Sequence, residues 1–191
     1  MFANVHVVKV GGSLFDLPNL GMRLTGWLRR YAAEPVVLVP GGGPAANVIR
    51  AYDRAQQLSE EASHWLALRM LHVNAHFLAR LLPQAPIVAA LREDIALGVL
   101  DAFAFAQDDE ARPDHLPHTW DVTSDSIAIR AAKIMSAREV VLIKSIAWEG
   151  DDWAAAARAG VVDAYFPQAL RGTPGLRVRI VNLRNLATVE A

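Results

Sequence analysis

Residues 4–13 read NVHVVKVGGS and residues 35–44 read PVVLVPGGGP. Each is a short, β-branched and mostly apolar run that stops on consecutive glycines, the pattern of a strand buried on both faces. Between them, Asn19–Tyr31 reads as a helix with Leu20, Leu24, Trp27 and Leu28 on one face. After the second run Pro44 stands where a helix begins, a position that tolerates proline, and Ala45–Arg54 supplies the helix. Strand, glycine-rich loop and helix, made twice, imply parallel strands joined by helical crossovers. The predicted fold is α/β, a three-layer αβα sandwich with a mainly parallel central sheet.

The rest of the chain extends that plan. Ser59–Leu82 reads as one long helix, with Ser59 as cap and Glu60 and Glu61 in its first turn. Trp65, Leu66, Leu68, Met70, Leu71, Val73, Phe77, Leu78 and Leu81 go nearly all the way round it. Such a helix is covered on more than one side, and a second copy of the chain is the expected cover, giving a homo-oligomer. Pro86–Leu91 and Val99–Ala106 are strand candidates, and Gln107–His118 is a polar surface loop. Val122–Met135 is a helix, Glu139–Lys144 a buried strand, Gly150–Gly160 holds a short Ala-rich helix, and Arg177–Asn182 alternates like an edge strand. No linker divides the 191 residues, so one domain spans 1–191.

Composition narrows the function classes. Nineteen Lys and Arg against twenty Asp and Glu give a net charge of −1, which argues against bulk phosphate neutralisation and so against a nucleic-acid partner. The absence of Cys excludes disulfides, thiolate metal sites and a cysteine nucleophile. No apolar run reaches the roughly 18 residues of a membrane span, and the start of the sequence has no signal-peptide pattern. A cytoplasmic setting without a membrane partner is the expectation.

Three constellations carry chemistry. Lys9 precedes Gly11, Gly12 and Ser13 at the end of the first strand, a charge beside a backbone that lets an anion come close. Gly41, Gly42 and Gly43 leave the second strand terminus without side chains, an entropic cost that either a closely bound ligand or a loop with positive φ angles explains. Asp121, Thr123, Ser124 and Asp125 open a helix in the stretch WDVTSDS at 120–126. There Asp121 suits a helix cap, Asp125 suits orienting lysine amines or a hydrated Mg²⁺, and Thr123 and Ser124 suit contacts to substrate. Neither a GxxxxGK[ST] nor a GxGxxG spacing is present.

In this order, KVGGS at 9–13, PGGGP at 40–44, DVTSD at 121–125 and the strand VVLIK at 140–144 resemble the amino acid kinase family. WDVTSDSIA is most similar to its branch containing the archaeal aminomethylfuran-methyl phosphate kinase of methanofuran biosynthesis, a one-carbon cofactor route. The resemblance implies an ATP- and Mg²⁺-dependent kinase in which Lys9 contacts the transferred phosphoryl group and Gly11 and Gly12 cradle the ATP phosphates. It also implies that Gly41, Gly42 and Gly43 face the acceptor, that Asp125 is the organising aspartate, and that Asp121 is the polar residue before it. The expected acceptor is a small phosphate monoester; carboxylate, carbamate, UMP and isopentenyl phosphate are the alternatives. The sequence departs from the family after Lys144, where there is no VDG stretch and no further lysine. Lys144 is therefore the expected second charge, and a non-catalytic nucleotide- or anion-binding relative is the rival reading.

The histidines have bland readings. His72 and His76 share a helix face and read as structural, His6 as strand packing, and His115 and His118 as loop residues within reach of an anion. Trp120 adjoins the Asp motif and suits stacking on a flat ring.

Overall fold

The structure, a computed structural model, describes residues 4–89 and 96–185. A six-stranded, wholly parallel sheet has the order β3-β4-β2-β1-β5-β6. Its strands are β1 (His6–Val10), β2 (Val36–Pro40), β3 (Ile87–Val88), β4 (Leu97–Leu100), β5 (Glu139–Lys144) and β6 (Arg177–Asn182). The helices are α1 (Leu20–Leu28), α2 (Gly43–Gln56), α3 (Glu60–Leu81), α4 (Ala102–Asp109), α5 (Ser124–Ile134), α6 (Trp153–Arg158) and α7 (Phe166–Arg171). β1 pairs with β2 on one side and β5 on the other. The chain therefore builds outward in both directions from β1, and the crevice beyond its carboxyl end is where open α/β sheets bind ligands.

Every residue of β1, β2 and β5 is buried, as continuous apolar runs in a parallel sheet require. One sheet face, with Val8, Val10, Leu38, Val141 and Ile143, packs on Leu24 and Trp27 of α1 and on Ala75 and Leu78 of α3. The other, with Val7, Val39, Val140 and Leu142, packs on Leu68 and Leu71 of α3 and on Phe105, Ile127, Ala131 and Phe166 of α4, α5 and α7. The two layers of helix around one sheet are the sandwich expected from the sequence.

Helix α3 feeds both cores. Its 22 residues span about 33 Å, and its first half packs with one face of the sheet and its second half with the other. This accounts for most of its all-round apolar character within a single chain, where the sequence alone pointed to a second copy. Val73 and Phe77 stay exposed, at 54% and 38%. Ser59 caps the helix as expected, its Oγ accepting from Ala62 N–H at 3.2 Å.

Two expectations shift. Val99–Ala106 is not one strand: β4 stops at Leu100 and α4 starts at Ala102. The alternating Ala-Phe-Ala-Phe imitates a strand, but Asp101 accepts from Phe103 N–H (3.1 Å) and Ala104 N–H (3.2 Å) and caps a helix instead. In Pro86–Leu91 only Ile87–Val88 are strand, and residues 90 and 91 lie outside the described residues. His6 does more than pack: its ring bonds Glu139 at 2.9 Å and Glu34, tying β1 to β5 and to the approach to β2.

The polar loop after α4 is clamped from beneath. Arg130 of α5, buried, donates to both carboxylate oxygens of Asp109 (2.7–3.1 Å) and to both of Asp114 (2.9 Å each). Arg130 and then Lys133 hold the Asp114 carboxyl well below the usual range. Neither Arg130 nor Asp109 stood out in the sequence. Removing one partner of a buried ion pair strands the other. Arg130→Ala is expected to lower unfolding stability by about 3 kcal/mol in urea titration, whereas Lys133→Ala, at an exposed pair, should change it by under about 1 kcal/mol.

Candidate active site at the carboxyl ends of β1, β2 and β5

The two glycine loops touch. Gly11 N–H donates to Ile143 O at 2.8 Å, and Gly41 N–H donates to Val10 O at 2.8 Å, so each loop is pinned to a neighbouring strand. A Cβ on Gly12 would lie 2.2 Å from Gly43 N, and one on Gly41 would lie 2.3 Å from Gly12 N. Gly43 has φ +52°, in the left-handed region that favours glycine. Backbone packed on backbone is thus a reason for glycine here, and the positive φ of Gly43 is the loop geometry that the sequence offered beside a ligand. Asn74 of α3, buried among apolar neighbours, donates through Nδ2 to Gly41 O (2.7 Å) and Gly42 O (2.8 Å). Ser13 meets Ser145 Oγ to Oγ at 2.9 Å, joining the first loop to the segment after β5.

Beside these loops stand three buried charges. Lys9 near the end of β1, Lys144 at the end of β5 and Asp125 in the first turn of α5 are 6%, 8% and 4% exposed. Lys144 Nζ donates to Asp125 Oδ2 at 2.8 Å. Lys9 Nζ lies 3.0 Å from Oδ1, a second ion pair on the same carboxylate. An ammonium carries three N–H donors, so Lys9 has others that can serve a further anion. Burial alone would raise the Asp125 carboxyl; the Lys9 and Lys144 ammonium groups outweigh it and hold it below the ordinary value. Lys144 is pushed down to about 8, by burial first and by Lys9 second, against the pull of Asp125.

The start of α5 is fixed by a residue that nothing in the sequence singles out. Asp163 accepts from Thr123 N–H (3.0 Å), Thr123 Oγ1 (2.8 Å), Ser126 N–H (2.9 Å) and Ser126 Oγ (2.5 Å). It caps the helix from outside, the role expected of Asp121. Asp121 is exposed, and its carbonyl accepts from Tyr165 N–H at 3.0 Å. The Thr123 hydroxyl is engaged by Asp163 rather than turned to a substrate, and Ser124 is buried. Burial, then the neighbouring Asp125 charge, pushes the Asp163 carboxyl up. The one local sign of Asp163 is an acid directly after two buried valines. Trp120 has one ring face taken by the Arg50 guanidinium at 4.7 Å, while its Nε1–H donates to Asp53 at 2.7 Å.

A parallel sheet with two glycine loops at the carboxyl ends of its central strands, and lysines held by one aspartate, is an arrangement chemically suited to receive an anion such as phosphate. The comparisons with known proteins make this more specific. No family model matches the chain. Over 148 residues it is 30% identical to (5-(aminomethyl)furan-3-yl)methyl phosphate kinase of Methanocaldococcus jannaschii, a match that takes in 74% of this chain and 66%, just under two thirds, of that protein. Its fold is shared with uridylate kinase from Archaeoglobus fulgidus (TM-score 0.65, 12% identity, 96% of this chain and 93% of that one). It is shared also with aspartate kinase from Synechocystis (TM-score 0.62, 16% identity, 93% and 38%). The chain therefore has the fold of these kinases and spans just under two thirds of the curated relative it matches.

The loop-on-loop contact is open to test. A Cβ at Gly12 must displace the backbone of Gly43, so Gly12→Ala is expected to cost about 2 kcal/mol or more in thermal or urea unfolding. Gly150→Ala, where nothing lies within 4 Å, meets no such clash and should cost less, through its φ of +91° alone.

Proposed function

We propose that the protein is an ATP-dependent phosphotransferase acting on a small phosphate monoester of the aminomethylfuran-methyl phosphate type, with a diphosphate as product. The observation that carries this reading is the pair of buried lysines held on one aspartate beside two glycine loops. An oxygen of the acceptor phosphate attacks the γ-phosphorus of ATP, and the bond from that phosphorus to the β-bridging oxygen breaks, with ADP leaving on the electron pair. The acceptor oxygen is already ionised at neutral pH, so no general base is required. What the site must supply is positioning and positive charge for the transferred group. Lys9, with N–H donors beyond the one facing Asp125, suits the moving phosphoryl; Lys144, on the side of the segments after β5, suits the nucleotide phosphates; Gly11, Gly12 and Ser13 suit the donor, and Gly41, Gly42 and Gly43 the acceptor.

The carboxylates fit no protein-held Mg²⁺ at this point. Asp125 is bracketed by two ammonium groups, and Asp163 is taken by four donors. Mg²⁺ would enter with the ATP phosphates, offsetting their charge, and Asp125 serves the lysines. The 30% identity to one named kinase supports the acceptor class. For a cytoplasmic homo-oligomer the support is the exposed Val73 and Phe77 on α3, with Val48 and Tyr52 on α2, and the lack, among the described residues, of a helix long and apolar enough to cross a membrane.

Incubation with ATP, Mg²⁺ and a panel of phosphate monoesters, with carboxylates as comparison, should yield ADP and a new diphosphate by phosphorus NMR. Lys9→Ala should lower kcat at least about a hundredfold with unfolding unchanged or improved. ATP binding without transfer to any acceptor would favour the non-catalytic reading.

A pH profile tests Lys144 separately. In the free protein its ammonium loses its proton around pH 8. The charged form binds phosphate, so kcat/KM for ATP is expected to be flat below that pH and to fall above it. Lys144→Arg, charged throughout, should move the falling limb upward by a pH unit or more; an unmoved limb assigns it to another group.

A further inference from the structure

A second cluster of ionisable side chains lies on the loop between α4 and α5, and phosphoryl transfer makes no use of it. Glu110, His115 and His118 each bring one possible ligand atom into a group whose members all lie within 4.8 Å of one another. Glu110 Oε1 is 2.8 Å from His118 Nε2 and 3.5 Å from His115 Nδ1, which donates to Leu116 O at 3.0 Å and would exchange that bond for the ion. A tetrahedral Zn²⁺ with bonds of about 2.0–2.1 Å places its ligands about 3.3 Å apart, so these spacings bracket what the ion needs. We propose that Glu110, His115 and His118 form a transition-metal site of the zinc type, with water in the fourth position.

The site is supported as metal ligands need to be. The loop that carries it is clamped by Arg130 through Asp109, next to Glu110, and through Asp114, next to His115. His118 stacks on the His64 ring (centroids 5.2 Å, planes 22° apart) and meets the Trp65 ring edge-on at 5.1 Å. Its Nε2 faces Glu110, and its Nδ1 lies 3.8 Å from the exposed Glu61 carboxylate, beyond hydrogen-bond length. Two imidazoles and one carboxylate favour Zn²⁺, Co²⁺ or Ni²⁺ over Mg²⁺, which prefers oxygen. The ion would join the end of α4 to the segment that runs through Trp120 and Asp121 into α5, bracing the approach to Asp125. The inference does not depend on the phosphoryl-transfer reading.

The test uses the full chain, stripped with a chelator, dialysed and titrated with Zn²⁺ or Co²⁺ alone. Expected are one ion per chain, the visible absorption of four-coordinate Co²⁺, a raised thermal midpoint, and no competition from millimolar Mg²⁺. His115→Ala, at an exposed position, and Glu110→Gln should each weaken binding about tenfold or more, with circular dichroism unchanged. His76→Ala, in the other histidine pair, should leave it intact. Absence of binding, equal competition by Mg²⁺, full binding in His115→Ala, or loss in His76→Ala in its place would each overturn the proposal.

Discussion

The site depends on one carboxylate between two ammonium groups. Lys9 and Lys144 come from adjacent strands and end in the same buried space. At an effective dielectric of about 20, two unit charges 4 Å apart interact by about 4 kcal/mol, so two lysines buried side by side repel too strongly to stay charged unaided. Asp125 accepts from one and ion-pairs with the other, leaving the trio with a net charge of +1. That surplus is small enough for a folded core and has the sign a phosphate needs. At Lys144 the balance tips the other way: burial and Lys9 outweigh Asp125 there and lower its ammonium to about 8.

Holding Asp125 in place falls to the rest of the fold. Its helix starts where Asp163 collects the N–H and hydroxyl groups of Thr123 and Ser126. Farther along, the same helix carries Arg130, which anchors the preceding loop through Asp109 and Asp114. Helix α5 is thus secured at its first turn by an acid from the C-terminal part of the chain, and along its flank by acids that precede it. Asn74 does the corresponding service for the second glycine loop, holding the Gly41 and Gly42 carbonyls from α3.

Which of these features the sequence reveals depends on how local their causes are. Strands β1, β2 and β5 are legible because burial on both faces demands unbroken apolar runs, and glycines mark the ends of the first two. Lys9, Asp125 and Lys144 are legible because each sits at a strand end or helix start, where a charge is conspicuous. Asp163 and Asn74 are not, since their partners lie 37–40 and 32–33 residues away and nothing near them in sequence signals the contact. Ala102–Ala106 misled because its alternation is local while its helix depends on the Asp101 cap. Helix α3 marks a limit of another kind: periodicity reports how much of a helix is covered, and cannot say whether two faces of one sheet or a second chain does the covering.

The segment after β5 can be understood from the same charges. After Lys144 there is no further lysine. A segment that had to deliver a lysine to the phosphates from beyond β5 would need enough structure to fix a long, flexible side chain. Here the second ammonium is delivered by β5 itself, whose backbone is paired on both sides, with β1 and β6. The C-terminal segment has only to cover the sheet with α6 and α7, bring Asp163 to the start of α5, and close the edge with β6. The bond from Lys144 to Asp125 therefore joins the two halves of the site across a separation of nineteen residues in sequence.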